Sequence, residues 1–337
     1  MTKVLVTGAA GFIGKLLVRK LVELGHHVTC FVLETSPGLD ELQNVDVEIV
    51  YGNILDLDSL QQPVRDTDVV FHLAGATLAR RAQYFQVNQQ GTLNVAAACA
   101  AAENPPVLVS VSSAAAGGPS EIDRPRKEND PPVPVSSYGQ SKRAAEQGLA
   151  EFADRVPITI VRPPSVFGAE EKYLRSFFKA ALRGWIIAPG MTDHRYSLIH
   201  VEDLIDGMIL AFTDGRRIRS DVADQTEEFV GCYHLAHPEP VTLPEFANLV
   251  AGCQDRGPVR TIRIPYFVCR TAGFFSEMLS RAVGKPWLLS QDKIREVTSG
   301  SWSCDTSRAT EELDYRPVDV AERICQTLHG YIERDWR

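Results

Sequence analysis

Three absences narrow this chain before any motif is read. Nowhere in its 337 residues do 18 or more apolar residues run together, so no membrane-spanning helix is expected. Positive charge is in deficit. Lys and Arg number 35 against 43 Asp and Glu, a formal net charge of -8, which argues against non-specific nucleic-acid binding. Close cysteine pairs are missing as well. The seven cysteines (Cys30, Cys99, Cys232, Cys253, Cys269, Cys304, Cys325) are odd in number and scattered, which fits neither a disulfide framework nor a zinc site and suggests a reducing compartment. No metal is expected. A strand beginning within three residues of Met1 leaves no room for a signal peptide, so the expectation is a cytoplasmic protein. Internal repeats and low-complexity segments are also absent, and the chain is long enough for one large domain or two.

What is present is an alternation. Through residue 162, short apolar runs alternate with helical patterns. Candidate strands are Lys3 to Val6, His27 to Val32, Val47 to Tyr51, Val69 to Leu73, Val107 to Ser112 and Ile158 to Val161. They are rich in Val, Ile and Leu with little alternation, as strands covered on both faces require. Helices are expected at Phe12 to Leu24, Tyr84 to Ala102 and Tyr138 to Phe152. The fold class is therefore α/β: a doubly wound parallel sheet of the Rossmann kind with a smaller C-terminal substrate lobe. The expected division is 1–168 for the dinucleotide-binding core with the catalytic residues, and 169–337 mainly for the substrate lobe, with some segments returning to the core. Gly117 to Pro134 reads as an exposed loop, and so does the charged stretch Asp214 to Glu228. Further helices are expected at Tyr173 to Leu182, Val201 to Thr213 and Leu243 to Ala251.

Two signatures carry chemistry. TGAAGFIG, Thr7 to Gly14, places Gly8, Gly11 and Gly14 between the first strand and a helix starting near Phe12. Gly8 permits the tight turn, Gly11 lets the backbone approach a pyrophosphate, and Gly14 lets the helix pack against the strand. The helix N-terminus offers free N–H groups and a positive dipole end to the phosphates. The second strand ends Phe31-Val32-Leu33-Glu34, with no arginine for a 2′-phosphate, which favours NAD over NADP. Glu34 reads equally as a ribose partner or as a solvated loop charge.

YGQSK, Tyr138 to Lys142, sets a phenol and an ammonium one helical turn apart on one face. A nearby ammonium favours phenolate and so is expected to lower the phenol pKa. The same lysine suits the nicotinamide ribose. Upstream, a strand ends Val111-Ser112-Ser113, where a hydroxyl can hold a substrate oxygen; either serine fits.

These residues resemble the extended short-chain dehydrogenase/reductase superfamily, in its NAD-dependent epimerase/dehydratase group, over nearly the whole chain. FHLAG (Phe71 to Gly75), VNQQGTLNV (Val87 to Val95), RPPSVFG (Arg162 to Gly168) and HVEDL (His200 to Leu204) extend the likeness. The resemblance implies a Ser113, Tyr138, Lys142 triad supported by Asn88, although Asn88 also reads as a helix cap. It assigns the cofactor, NAD or NADP, to Gly8, Gly11, Phe12, Ile13, Gly14, Glu34, Asn53, Ile54, Leu73, Ala74, Gly75 and Pro164 together with Tyr138 and Lys142. A homodimer through the Tyr138 and Tyr84 to Ala102 helices is likewise implied.

Within that family, Ala114 and Ala115 after Ser113 cannot exchange protons, which argues against a dehydratase. Ser165 stands where sugar-nucleotide epimerases carry asparagine, and Arg195 is displaced, although Arg195 and Arg175 remain as substitutes. Lys285 to Pro317 resembles the closing segment of the 3β-hydroxysteroid dehydrogenase and dihydroflavonol reductase branch. Ile264 to Leu279 is apolar and aromatic and reads as an amphipathic core helix, a substrate lid or a membrane-surface patch. The leading expectation is an oxidoreductase passing hydride between NAD(P) and a carbonyl or secondary alcohol on a bulky, partly apolar small molecule. A nucleotide-sugar epimerase is the alternative enzyme, and a non-catalytic dinucleotide-binding scaffold is the alternative of another class.

Overall fold

Strand β1 (Lys3–Thr7) is four buried residues behind an exposed lysine, and it lies inside the main sheet, next to its central strand. The computed structural model describes residues 1–220, 229–273 and 291–336. β1 is flanked by β2 (His27–Val32) and β4 (Val69–His72), both parallel to it. β3 (Glu48–Tyr51), β5 (Val107–Val111), β6 (Ile158–Arg162) and β11 (Cys232–His234) complete a seven-stranded sheet in the order β11-β6-β5-β4-β1-β2-β3. Every pairing in it is parallel. The chain winds outward in both directions from β1, so the crevice between the carboxyl ends of β1 and β4 is the switch point where ligands bind in such sheets.

Helices cover both faces. α1 (Phe12–Glu23) buries Gly14, Leu17, Val18 and Leu21 on one side, packed with α9 (Val201–Thr213) around Phe71 and Tyr233. On the other face, α3 (Leu57–Arg65) and α5 (Gly91–Ala101) close over Leu5, Val70 and Leu108. A separate apolar cluster of Phe167, Phe178, Ile186, Phe246 and Tyr331 joins α8 (Arg175–Leu182), α10 (Leu243–Gly252) and α14 (Val320–Glu333).

Several expectations change on folding. The helix expected over Tyr84 to Ala102 is three pieces: α4 (Arg81–Tyr84), a π-helical turn (Phe85–Gln90) and α5. Such turns cluster at functional sites because the extra residue redirects side chains. The Gly117 to Pro134 stretch is not simply exposed. Glu128 is buried and accepts from His234 N at 2.8 Å, and Ser120 and Arg126 bridge to Ser301 and Cys304. In the charged stretch, Ile218 turns into the core and its N–H donates to Ile158 O; residues 221–228 lie outside the described residues.

The cysteine reading needs correction. Cys253 and Cys325 form a disulfide across 72 residues, because the end of α10 packs against α14. Distance along the sequence gave no sign of this pairing. Of the Ile264 to Leu279 segment, residues 274–279 lie outside the described residues. The described part is helical at residues 266–273 (α11), with Phe267 71% exposed, so it is not a core helix.

Candidate active site

The glycine loop has the geometry a pyrophosphate requires. Gly8 has φ +72°, and a Cβ there would lie 2.6 Å from Ala74 N. A side chain at Gly14 would overlap the Gly8 carbonyl oxygen and come within 2.8 Å of Ala9 Cα. Gly11 differs: it is the N-cap of α1, a Cβ there meets only Gly8 O at 3.2 Å, and no side chain caps the helix. The Phe12 and Ile13 amides of this first turn are thus presented to the crevice with the positive end of the helix dipole. These features fit a dinucleotide.

Beside the loop, a line of hydrogen bonds crosses from β1 to the helix that bears Tyr138. Thr7 Oγ1 meets His72 Nδ1 at 2.7 Å, and His72 Nε2 meets Thr92 Oγ1 at 2.9 Å. Thr92 donates to Asn88 O at 2.7 Å, so its oxygen accepts from the imidazole. The hydrogen-bond pattern therefore assigns the His72 proton to Nε2. Burial, aided by the Lys142 charge, pushes His72 down to about 3, and the ring is neutral. Asn88 is wholly buried in the π-helical turn. Its Oδ1 accepts from Ala76 N at 2.7 Å, and its Nδ2 donates to Ala76 O at 3.1 Å and to Ser141 Oγ at 3.0 Å. Asn88 thus ties the Leu73–Ala74–Gly75 turn to the helix that carries Tyr138 instead of capping a helix end.

That helix, α7 (Ser137–Leu149), begins at Ser136, whose Oγ accepts from Gly139 N at 2.9 Å. Its first turn holds Tyr138 against the Tyr84 ring at 5.7 Å between centroids, edge on. The Ser113 hydroxyl is near enough to the Tyr138 phenol to favour its phenolate. Ser113 lies two residues beyond β5 and caps the short helix α6 (Ala114–Gly117), accepting from Ala115 N at 3.2 Å. Lys142 Nζ donates to Val111 O at 2.9 Å, and it lies 3.3 Å from the point a Cβ on Gly75 would occupy.

The electrostatics depart from expectation at one point. Burial pushes the Tyr138 phenol up to about 12; the Ser113 hydroxyl opposes the rise, and Glu296 and Tyr84 add to it. The anticipated lowering by Lys142 does not prevail. Desolvation of the phenolate is the largest influence on Tyr138, and the Lys142 ammonium donates to the Val111 carbonyl of β5. Burial holds Lys142 itself down at about 8, with the Glu146 charge opposing.

A buried charge cluster gives the two serines different surroundings. Ser112 Oγ donates to Glu146 Oε1 at 2.5 Å, away from Tyr138. Glu146 also takes two bonds from Arg162, at 2.8 and 2.6 Å, and pairs with Arg143 at 3.3 Å. Burial alone would raise the Glu146 pKa, but the Arg162 charge and hydrogen bonds hold it below the usual carboxylate range. Sequence reasoning passed over Glu146, although Tyr138, Lys142 and Glu146 recur every four residues on one helix face.

The remaining candidates sit around the crevice. Ile54 is buried beneath Gly91, and Asn53 Oδ1 accepts from Leu55 N at 3.0 Å. Glu34 is exposed beyond β2, and Pro164 is half-buried after β6, next to Pro163, whose carbonyl accepts from Ala114 N. The structure also brings in residues with no prior signal: Asp292, Lys293 and Glu296, on α12 (Gln291–Val297), at the N-terminus of α7. An open cavity of about 910 Å³ beside the Cys253–Cys325 bridge shares no lining residue with this cluster.

With that geometry in place, likeness to known proteins can be weighed. The NAD dependent epimerase/dehydratase family matches residues 4–223. A ceramide reductase of Caulobacter vibrioides is 28% identical over 341 residues, covering 99% of this chain and 95% of that protein. A 3 beta-hydroxysteroid dehydrogenase/Delta 5-->4-isomerase of Mycobacterium tuberculosis is 28% identical over 352 residues, covering 98% and 90%. Among solved structures, the dTDP-glucose 4,6-dehydratase of Bacillus anthracis in complex with NAD superposes with a TM-score of 0.76 at 18% identity, covering 100% and 98%, a likeness of fold.

Proposed function

The chain belongs to the NAD dependent epimerase/dehydratase family, and from that premise we propose that it is an NAD(P)-dependent oxidoreductase acting on a bulky, partly apolar alcohol or ketone. It is an enzyme of the extended short-chain dehydrogenase/reductase type. The observation that carries the reading is the convergence of Ser113, Asn88 and the α7 pair Tyr138 and Lys142, from three separate parts of the chain, on the carboxyl edge of the sheet, next to the glycine loop. A pure binder of dinucleotide has no use for a phenol and a hydroxyl brought together there.

When bound, the nicotinamide supplies or takes the hydride. In the reducing direction, Tyr138 gives its proton to the oxygen of the carbonyl being reduced, and its raised pKa means that it carries that proton at neutral pH. Ser113 hydrogen-bonds the same oxygen. Lys142 orients the ribose from the Val111 carbonyl edge, and Asn88 fixes the helix that bears both. The glycine loop with Asn53, Ile54, the Leu73 to Gly75 turn and Pro164 holds the rest of the dinucleotide. We assign residues 1–168 to cofactor and catalysis, and most of residues 169–337 to the substrate side.

NAD is favoured over NADP. The three cations of α1 behind the glycine loop are all paired, Lys15 and Arg19 with Glu41 and Glu170, and Lys20 with Asp206. Against a sugar-nucleotide substrate, Arg195 and Arg175 are each tied by one donor to a backbone carbonyl, Pro240 O and Trp336 O, away from the position that the epimerase pattern gives an arginine. Ala114 and Ala115 leave no acid–base pair for dehydration. The relatives named for ceramide and steroid chemistry agree with an apolar substrate. We place the protein in the cytoplasm on its five free cysteines; the Cys253–Cys325 bridge speaks against this, and thiol trapping in intact cells decides it. A homodimer through α5 and α7 is part of the proposal and is tested by light scattering.

The deciding experiment incubates the enzyme with NAD and with NADP against steroid, long-chain keto-lipid, flavonoid-like and aryl ketone or alcohol panels, and in parallel against UDP- and dTDP-sugars. Absorbance of the reduced cofactor reports redox turnover, and chromatography reports epimerised sugar. Tyr138→Phe is expected to bind cofactor normally while losing turnover by roughly two to four orders of magnitude. Epimerisation without net redox change would promote the alternative enzyme, and cofactor binding without any turnover would favour the scaffold.

A further inference from the structure

We propose that α12 clasps the N-terminus of the catalytic helix, and that Glu296 is a positioning residue that sets the proton affinity of Tyr138. The inference rests on the reading of Tyr138 as the proton-transfer group.

The clasp is built from side chains more than 150 residues from the helix they hold. Asp292 Oδ2 accepts from Ser137 N at 3.0 Å, and its Oδ1 accepts from Ser137 Oγ at 3.3 Å. Glu296 Oε1 accepts from Ser136 Oγ at 2.6 Å. Both carboxylates are largely covered, with side chains 19% and 14% exposed. The first-turn N–H groups of a helix lack partners within it, and its dipole favours negative charge there. Two acids on α12 therefore satisfy the end of α7, immediately before Tyr138. α12 is itself anchored where Trp302 Nε1 donates to Glu296 O at 2.9 Å.

This arrangement puts opposite charges beside the phenol. Lys293 Nζ lies 5.5 Å from the centre of the Tyr138 ring and pairs with Glu296 Oε2 at 2.8 Å. From β5 the phenol meets Ser113, and from α4 it meets Tyr84. Arg81 on α4 reaches Ser137 Oγ at 3.4 Å and Gln140 Oε1 at 3.0 Å, and Lys142 lies one turn along α7. Within this set, the Glu296 carboxylate disfavours phenolate and the Lys293 ammonium favours it. The segment that closes the substrate lobe thus also tunes the proton donor.

The two charges give predictions of opposite sign. Glu296→Gln keeps an acceptor for Ser136 but removes the charge. It is expected to move the phenol-controlled limb of the kcat/KM pH profile to lower pH by about half a unit or more. Lys293→Met is expected to move it to higher pH. Asp292→Asn, whose carboxylate acts on the backbone, is expected to lower kcat several-fold with little change in KM for the cofactor. A merely structural clasp would lower activity in all three variants without shifting the limb in opposite directions. Unshifted limbs in both charge variants, with Tyr138→Phe inactive, overturn this inference and leave the proposed function standing. Full activity of Tyr138→Phe overturns both. If Glu296→Gln does not fold, a Lys293→Met limb that stays in place or moves to lower pH still overturns it.

Discussion

Replacing the buried Lys142 by methionine is expected to make the protein more stable and catalytically dead. The lysine is 8% exposed, and burial holds its pKa at about 8 against an ordinary 10.5. A gap of about 2.5 units corresponds to about 3 kcal/mol of penalty for keeping the ammonium charged inside the fold. Methionine has a similar stem without the charge. The variant loses the bond to Val111 O, which returns about 1 kcal/mol. The net gain is about 2 kcal/mol near pH 7, roughly 3 °C in melting temperature. The sign with pH follows from the lowered pKa. Below about 8 both folded and unfolded lysine are charged, and the penalty is complete. Between there and 10.5 the unfolded chain binds the extra proton, so the wild type gains stability as pH rises and the variant's advantage vanishes and then reverses by about the 1 kcal/mol of the lost bond. Urea unfolding of both proteins at about pH 7 and about pH 10, beside turnover with the best panel substrate, is the assay. A variant less stable than the wild type near pH 7, or a difference that does not change with pH, would refute the reasoning.

Three further outcomes follow from contacts in the site and the lobe. Gly11→Val is expected to fold and to lose cofactor binding by calorimetry, whereas Gly14→Ala, whose Cβ overlaps the glycine-loop backbone, is expected to lose about 1–3 kcal/mol of stability. Ser113→Ala is expected to cut kcat by roughly 10²-fold or more with stability unchanged, and Ser112→Ala to do the reverse, costing about 1–3 kcal/mol in urea unfolding by stripping a bond from Glu146. Reducing Cys253–Cys325, which closes 72 residues, is expected to lower stability by about 4 kcal/mol on the chain-entropy account; dithiothreitol should lower the melting temperature of the wild type but not of Cys253→Ser.

The sequence alone determined what depends on local pattern. Unbroken Val, Ile and Leu runs mark strands covered on both faces, and all six of the strands expected from them are in the sheet to within a residue or two at their ends. Gly8, Gly11 and Gly14 have their meaning in spacing alone, since a tight turn and a close helix depend on a few consecutive residues. Tyr138 and Lys142 share a face because four residues make one helical turn. Tertiary structure decided whatever depends on partners distant along the chain. Ser112 and Ser113 are indistinguishable as letters, and only Glu146 and Arg162, folded beneath them, draw Ser112 away. The π-helical turn that aims Asn88 at Ser141 has no periodic signature. Cys253 and Cys325 meet because α10 and α14 pack together. Spacing suggested a lysine that lowers the phenol pKa, but burial is a property of the folded whole, and it raised that pKa instead. Asp292 and Glu296 are ordinary surface acids in the sequence, and they become partners of the α7 N-terminus only when the last part of the chain returns to it.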